Sequence, residues 1–135
     1  TYHGKSLSSH SLGQRASDKI WLIMSHVGND LLLIDQPEDD LDSQTVYEEV
    51  VKLVRKLKPD QQFIFATHNA NFPVLGDAET ITTCSAIDDE IVVNGGNIDD
   101  KASQAQIINI MEGGPDAFER RKAIYQIWKS DKSAK

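Results

Sequence analysis

The sequence predicts an α/β fold whose parallel core strands are flanked by helices, on three observations. Two short apolar runs, Leu31-Leu32-Leu33-Ile34 and Phe63-Ile64-Phe65-Ala66, have strand length and sit between turn residues. Between them Val46, Val50, Val54 and Leu57 recur at helical spacing. A strand-helix-strand unit of this kind crosses over right-handed and pairs its strands in parallel, so both strands end on the same edge. The unbroken apolar character of the first run further predicts a strand covered on both faces.

The remaining elements are justified in chain order. Residues 1–10 are polar and aperiodic, which reads as a linker or truncated loop. From Ser11 the positions Leu12, Ala16, Ile20, Ile23 and Val27 predict a helix, with Gly28 placed for a left-handed cap. Asn29-Asp30 turns the chain into the first strand, which delivers Asp35 at its carboxyl end. In the central helix Glu48 and Glu49 lie early and Arg55, Lys56 and Lys58 late, matching the helix dipole, and Pro59-Asp60 stops it. Thr80 to Ile87 and Glu90 to Val93 read as two short strands joined by Asp88-Asp89 and ended by Gly95-Gly96, with their direction open. Ile107, Ile108 and Met111 predict a helix stopped by Gly113-Gly114. Pro115 opens another through Phe118, Ile124, Tyr125 and Trp128. Both read as packing elements. Residues 130–135 read as a mobile tail.

Composition bounds the function. A chain of 135 residues suits a single compact unit, and its one cysteine, Cys84, excludes an internal disulfide and a cysteine-built zinc site. With no signal-like segment or long apolar run, the expectation is a soluble, cytoplasmic chain with no membrane contact. The balance of 14 basic against 21 acidic residues, net −7, argues against a broad basic face for phosphate backbones. Contact with nucleic acid is therefore expected only through other domains.

The carboxyl edge of an open parallel sheet is where ligands bind, and here it presents Asp35 from one strand and Thr67-His68 from the other. Asp35 opens the stretch LLLIDQPEDDLD. A carboxylate there can hold magnesium, which prefers oxygen ligands and keeps several waters; the plainer alternative is a loop-start Asp. Five acids fall within eight residues, Asp35, Glu38, Asp39, Asp40 and Asp42, although such a run is more often a solvated face. A calcium loop fits poorly, because the sixth position, where glycine is required, is Asp40. His68 is placed to hydrogen-bond a phosphate oxygen or a water. Ser11-Leu12-Gly13-Gln14 opens the first helix, where a hydroxyl, free N–H groups and the positive dipole end can bind phosphate; an N-cap serine is the commoner meaning.

The order of these features carries a resemblance: Ser-x-Gly-Gln opening a helix, a strand ending in Asp followed by Pro-x-x-x-Leu-Asp, then a strand ending in Thr-His. From Ser11 to about Asn69 the chain resembles the carboxyl-terminal half of an ABC-type ATPase head of the SMC, Rad50 and RecF kind. The implied fold is a partial P-loop NTPase sheet, with residues 11–129 as the carboxyl-terminal lobe. Ser11, Gly13 and Gln14 resemble the nucleotide-binding signature motif, Leu31 to Asp35 the Walker B strand with Asp35 as metal ligand, Asp42 the D-loop residue at the head interface, and His68 the switch histidine. The resemblance implies Mg-ATP held between two heads, the partners being a second copy of the head and a missing amino-terminal lobe that carries Walker A. Within this group, DQPEDDLD and THNANFPVLGDAE look most like the ATPase region of TrlF-type proteins, which accompanies a PHP phosphoesterase domain.

Two departures bear on mechanism. Gly4-Lys5-Ser6 lacks the first glycine and flanking elements of a phosphate loop, so the true loop is expected upstream. Gln36 stands where most relatives have a glutamate that polarises water. A glutamine orients water but is not a useful base, and Glu38 is the nearest carboxylate to supply one, with Pro37 limiting how the loop turns it inward. The expected function is an ATPase in the intact parent, with this fragment inactive alone. The alternatives are an ATP-gated clamp with little hydrolysis, held closed by Gln36, and, ranked last, a metal-dependent phosphoesterase using the acidic loop.

Overall fold

The computed structural model describes residues 12–24, 26, 28 and 30–132. They divide into two compact units between Ala78 and Glu79.

In the first unit, helix α1 (Leu12–Met24) precedes strand β1 (Leu31–Asp35). The chain then makes a 3-10 turn over Pro37–Asp40 and enters a continuous helical run: α2 (Ser43–Thr45), a π-helical stretch Val46–Val51, and α3 (Lys52–Leu57). Strand β2 (Gln62–Ala66) follows, then a π turn at Asn71–Leu75. β1 and β2 pair in parallel, Leu31 with Gln62 through to Asp35 with Ala66, as the strand-helix-strand pattern predicts. Val46, Val50 and Val54 of the predicted stripe lie in the core, buried together with Met24, Leu32, Leu41, Val51 and Phe72, while Leu57, Ile34, Phe63 and Phe65 are partly buried against it. The rings of Phe65 and Phe72 stack with centroids 5.0 Å apart, anchoring the segment after β2 to the sheet.

The expectation of a strand covered on both faces is corrected. Leu32 is buried and Ile34 half-buried, but Leu31 is exposed and Leu33 is 71% exposed, and Ile64, paired with Leu33, is exposed on the same face. The cause is the pleat: alternate side chains point to opposite faces, and the helices of this unit cover one of them. α1 ends at Met24, and Val27, the last position of the expected helix, lies outside the described residues.

The second unit is an antiparallel hairpin, β3 (Thr80–Ile87) and β4 (Glu90–Asn97), followed by α4 (Lys101–Met111) and α5 (Pro115–Lys132). Asp88 and Asp89 both take positive φ, 49° and 65°, as a two-residue hairpin turn demands. Gly95-Gly96 does not end β4: both glycines stay in register, opposite Thr82 and Ile81. Their role is close packing, since a Cβ on Gly96 would lie 2.6 Å from Ser103 Oγ. Gly113 and Gly114 do stop α4, both at positive φ, with the Gly114 N–H donating to Ile108 O at 3.0 Å. α4 packs through buried Ser103 and Ile107. The reading of α5 as a packing helix is corrected in part: Phe118 is half-buried, but residues 119–130 are exposed throughout, Ile124, Tyr125 and Trp128 among them.

Candidate functional site

Parallel pairing brings the carboxyl ends of β1 and β2 to one edge, and the loops leaving that edge are joined. The Gln36 N–H donates to Ala66 O at 2.8 Å, extending the ladder one step beyond the strands. Gln36 itself is left-handed, φ 43° and ψ 55°, a region non-glycine residues seldom occupy and one that costs on the order of 1–3 kcal/mol. That bend starts the 3-10 turn, with Pro37 buried at its first position.

The turn carries Glu38 inward, so Pro37 does not keep it out. The Glu38 side chain is 6% exposed. Its Oε1 accepts from the Thr67 hydroxyl at 2.5 Å and from the His68 N–H at 2.8 Å, and His68 Nδ1 lies 3.2 Å away. Its Oε2 is buried with no hydrogen-bond partner among the described residues. Burial works to raise the Glu38 pKa, but the Thr67 hydroxyl, its own backbone N–H and the N–H and charge of His68 outweigh it and hold the carboxyl below the ordinary 4.5. Glu38 therefore stays a carboxylate at neutral pH.

The other expected residues are arranged around this link. Asp35 ends β1 in register with Ala66 and is exposed, as are Gln36, Asp39 and Asp40. The His68 side chain is 65% exposed, so its ring is open to solvent or a ligand. Asp42 caps α2: Oδ1 accepts from the N–H groups of Gln44 and Thr45, each at 3.0 Å, and Oδ2 accepts from the Thr45 hydroxyl at 2.7 Å. The Thr45 hydroxyl and N–H are the chief cause of its lowered pKa. Gly13 and Gln14 lie in the first turn of α1, whose backbone is described there, and Ser11 lies outside the described residues.

No group of three or more His, Cys, Asp or Glu side chains gathers to hold a metal among the described residues. A single exposed carboxylate, Asp35, fits magnesium in the manner of phosphate sites, where one or two carboxylates are joined by waters and nucleotide oxygens. No helix among the described residues is long and apolar enough to cross a membrane.

Thr67 is the residue that sequence reasoning left unassigned. It leaves β2 directly before His68, donates to Glu38, and accepts from the Asn69 N–H at 3.0 Å; Asn69 Oδ1 in turn accepts from the Asn71 N–H at 3.0 Å. The available signal was a hydroxyl residue at a strand end beside the histidine.

No family model matches the chain, and no curated protein matches it. Among solved structures, a chain from work on the ATP-driven dimerization and DNA-stimulated activation of SMC ATPases is similar, with a TM-score of 0.59. The two share 21% sequence identity over 78% of this chain and 68% of that one. The likeness establishes the fold: this arrangement of parallel strands and helices is shared with an SMC ATPase structure.

Proposed function

We propose that this chain is the carboxyl-terminal half of an ATP-binding and ATP-hydrolysing head that engages a second head around Mg-ATP, in a parent protein that acts on nucleic acid through other domains. One observation carries the reading. The ends of β1 and β2 bring Asp35, Gln36, Glu38 and His68 to one edge, which is where the resemblance expects the Walker B aspartate and the switch histidine. The shared SMC ATPase fold supports it. The exposed apolar face of Leu31, Leu33 and Ile64 supports a missing amino-terminal lobe as partner, because a two-stranded sheet open on one apolar face gains stability when another layer covers it.

In this reading Asp35 is the residue that would hold Mg2+, which when bound neutralises phosphate charge. Ser11, Gly13 and Gln14 contact the nucleotide held by the partner head, and Asp42 lies at the interface. Gln36 and His68 orient the attacking water, and Glu38 accepts its proton late. That last step requires Oε2, covered here, to be uncovered when heads engage. DQPEDDLD and THNANFPVLGDAE favour the TrlF-type branch of the family. The second reading, a clamp that binds ATP and scarcely hydrolyses it, is favoured by Gln36 at the strand end.

Calorimetry tests the reading. The full-length protein should bind Mg-ATP, and this chain alone should not bind it tightly, because the cradle of N–H groups and lysine for the phosphates is expected upstream. Saturable low-micromolar binding by this chain alone contradicts the half-head assignment.

A further inference from the structure

Only a side chain that both donates and accepts can occupy position 67 as the structure has it. The Thr67 hydroxyl gives its hydrogen to Glu38 Oε1 and takes one from the Asn69 N–H. A hydroxyl does both; an amine donates only, and an ionised carboxylate accepts only. Through it the loop after β1 and the loop after β2 become one hydrogen-bonded body, running from Glu38 through Thr67 and Asn69 to Asn71. Glu38 in turn receives the His68 N–H, so the backbone that carries the imidazole is fixed by the carboxylate that Thr67 holds.

We infer that Thr67 is a positioning residue of the ATPase site: its hydroxyl clamps Glu38 Oε1, sets the backbone of His68, and leaves Oε2 as the one carboxylate oxygen uncommitted. In this assignment Thr67 acts through Glu38 and His68. The uncommitted atom is the second, independent observation, a carboxylate oxygen buried with no hydrogen-bond partner among the described residues, on a side chain only 6% exposed. A buried acceptor left unmade is costly, and such atoms mark places where a water, ion or ligand is taken up. The clamp holds the carboxylate of one loop and the histidine of the other at a constant separation. In reactions limited by orientation, displacements of about 1 Å cost up to roughly 10²-fold in rate.

The inference rests on the ATPase reading, and the test separates the two. In the full-length protein, Thr67→Val keeps shape and loses both hydrogen bonds, and Thr67→Ser keeps both. Hydrogen exchange reads the clamp without ATP: the His68 amide should lose protection in Thr67→Val and keep it in Thr67→Ser. Steady-state hydrolysis reads its use: kcat should fall by roughly ten- to hundredfold in Thr67→Val with KM for ATP little changed, and serine should restore it. Unchanged His68 protection, unchanged kcat, or equal damage by valine and serine would each overturn the assignment. Absence of ATP hydrolysis in the unmodified full-length protein, with the exchange result as expected, would instead overturn the ATPase reading and leave the clamp standing.

Discussion

The Thr67 hydroxyl and Glu38 Oε1 are 2.5 Å apart although 29 residues separate them in sequence. This bond makes the ends of the two parallel strands a single structural piece. Asp35, Gln36 and His68 all leave from it, so the chemistry proposed for the edge depends on how firmly Glu38 is held.

Glu38→Gln asks whether that carboxylate also takes a proton. The amide oxygen can still accept from Thr67 and from the His68 N–H, but the base is gone. In the full-length protein, ATP binding and head engagement should survive while hydrolysis slows by roughly 10²–10⁴-fold. Single-turnover hydrolysis within a factor of about three of the parent would remove Glu38 as a base.

Acid should weaken the same link. The folded pKa of Glu38 lies below its ordinary value of 4.5, so its contribution to stability is fully present above about pH 4.5 and is lost as pH falls through the folded value. Urea unfolding of the parent and of Glu38→Gln should therefore differ most near neutral pH and converge on acidification. A difference independent of pH would show that the charged form is not favoured by folding.

Gly76 is buried after the π turn, its N–H donating to Phe72 O at 3.0 Å, and an added Cβ would lie 2.2 Å from that oxygen. Backbone must move to admit it. Gly76→Ala should destabilise by roughly 1–3 kcal/mol in denaturant unfolding, and a variant as stable as the parent contradicts the close approach.

Neighbouring leucines of β1 should behave oppositely. Leu32 is buried in the core, and Leu33 is 71% exposed. Leu32→Ala should cost about 2–5 kcal/mol and Leu33→Ala within about 0.5 kcal/mol when this chain unfolds alone. In the full-length protein Leu33→Ala should cost more than that, if the proposed amino-terminal lobe covers the face.

What was legible in the sequence follows from which forces are local. The valine stripe, the Asp88-Asp89 turn and the Gly113-Gly114 stop depend on spacing and backbone preference within a few residues, and each is found where the pattern puts it. Coverage of β1 depends on what packs from outside, and its composition suits burial on both faces even where one is bare here. Gly95-Gly96 reads as a strand end because glycine weakens strands, yet the pair lies within β4 and Gly96 packs against Ser103. The edge of the site was legible, since parallel pairing fixes it, and the acid of interest was named. Thr67 was placed at the same edge, but its bond to Glu38 was not legible, because which side chains of the two loops meet is set by the crossover between residues 38 and 67.

The central claim is that two such heads close on Mg-ATP, and sedimentation of the full-length protein with and without Mg-ATP tests it most directly, using Ser11→Arg as the variant. A guanidinium in the place of the serine would occupy the position expected at the partner's γ-phosphate while leaving each head's own nucleotide site untouched. The parent should dimerise on adding Mg-ATP, and Ser11→Arg should bind ATP normally and stay monomeric. Nucleotide-dependent dimerisation unchanged in Ser11→Arg, or a parent whose association ignores ATP, would contradict the account.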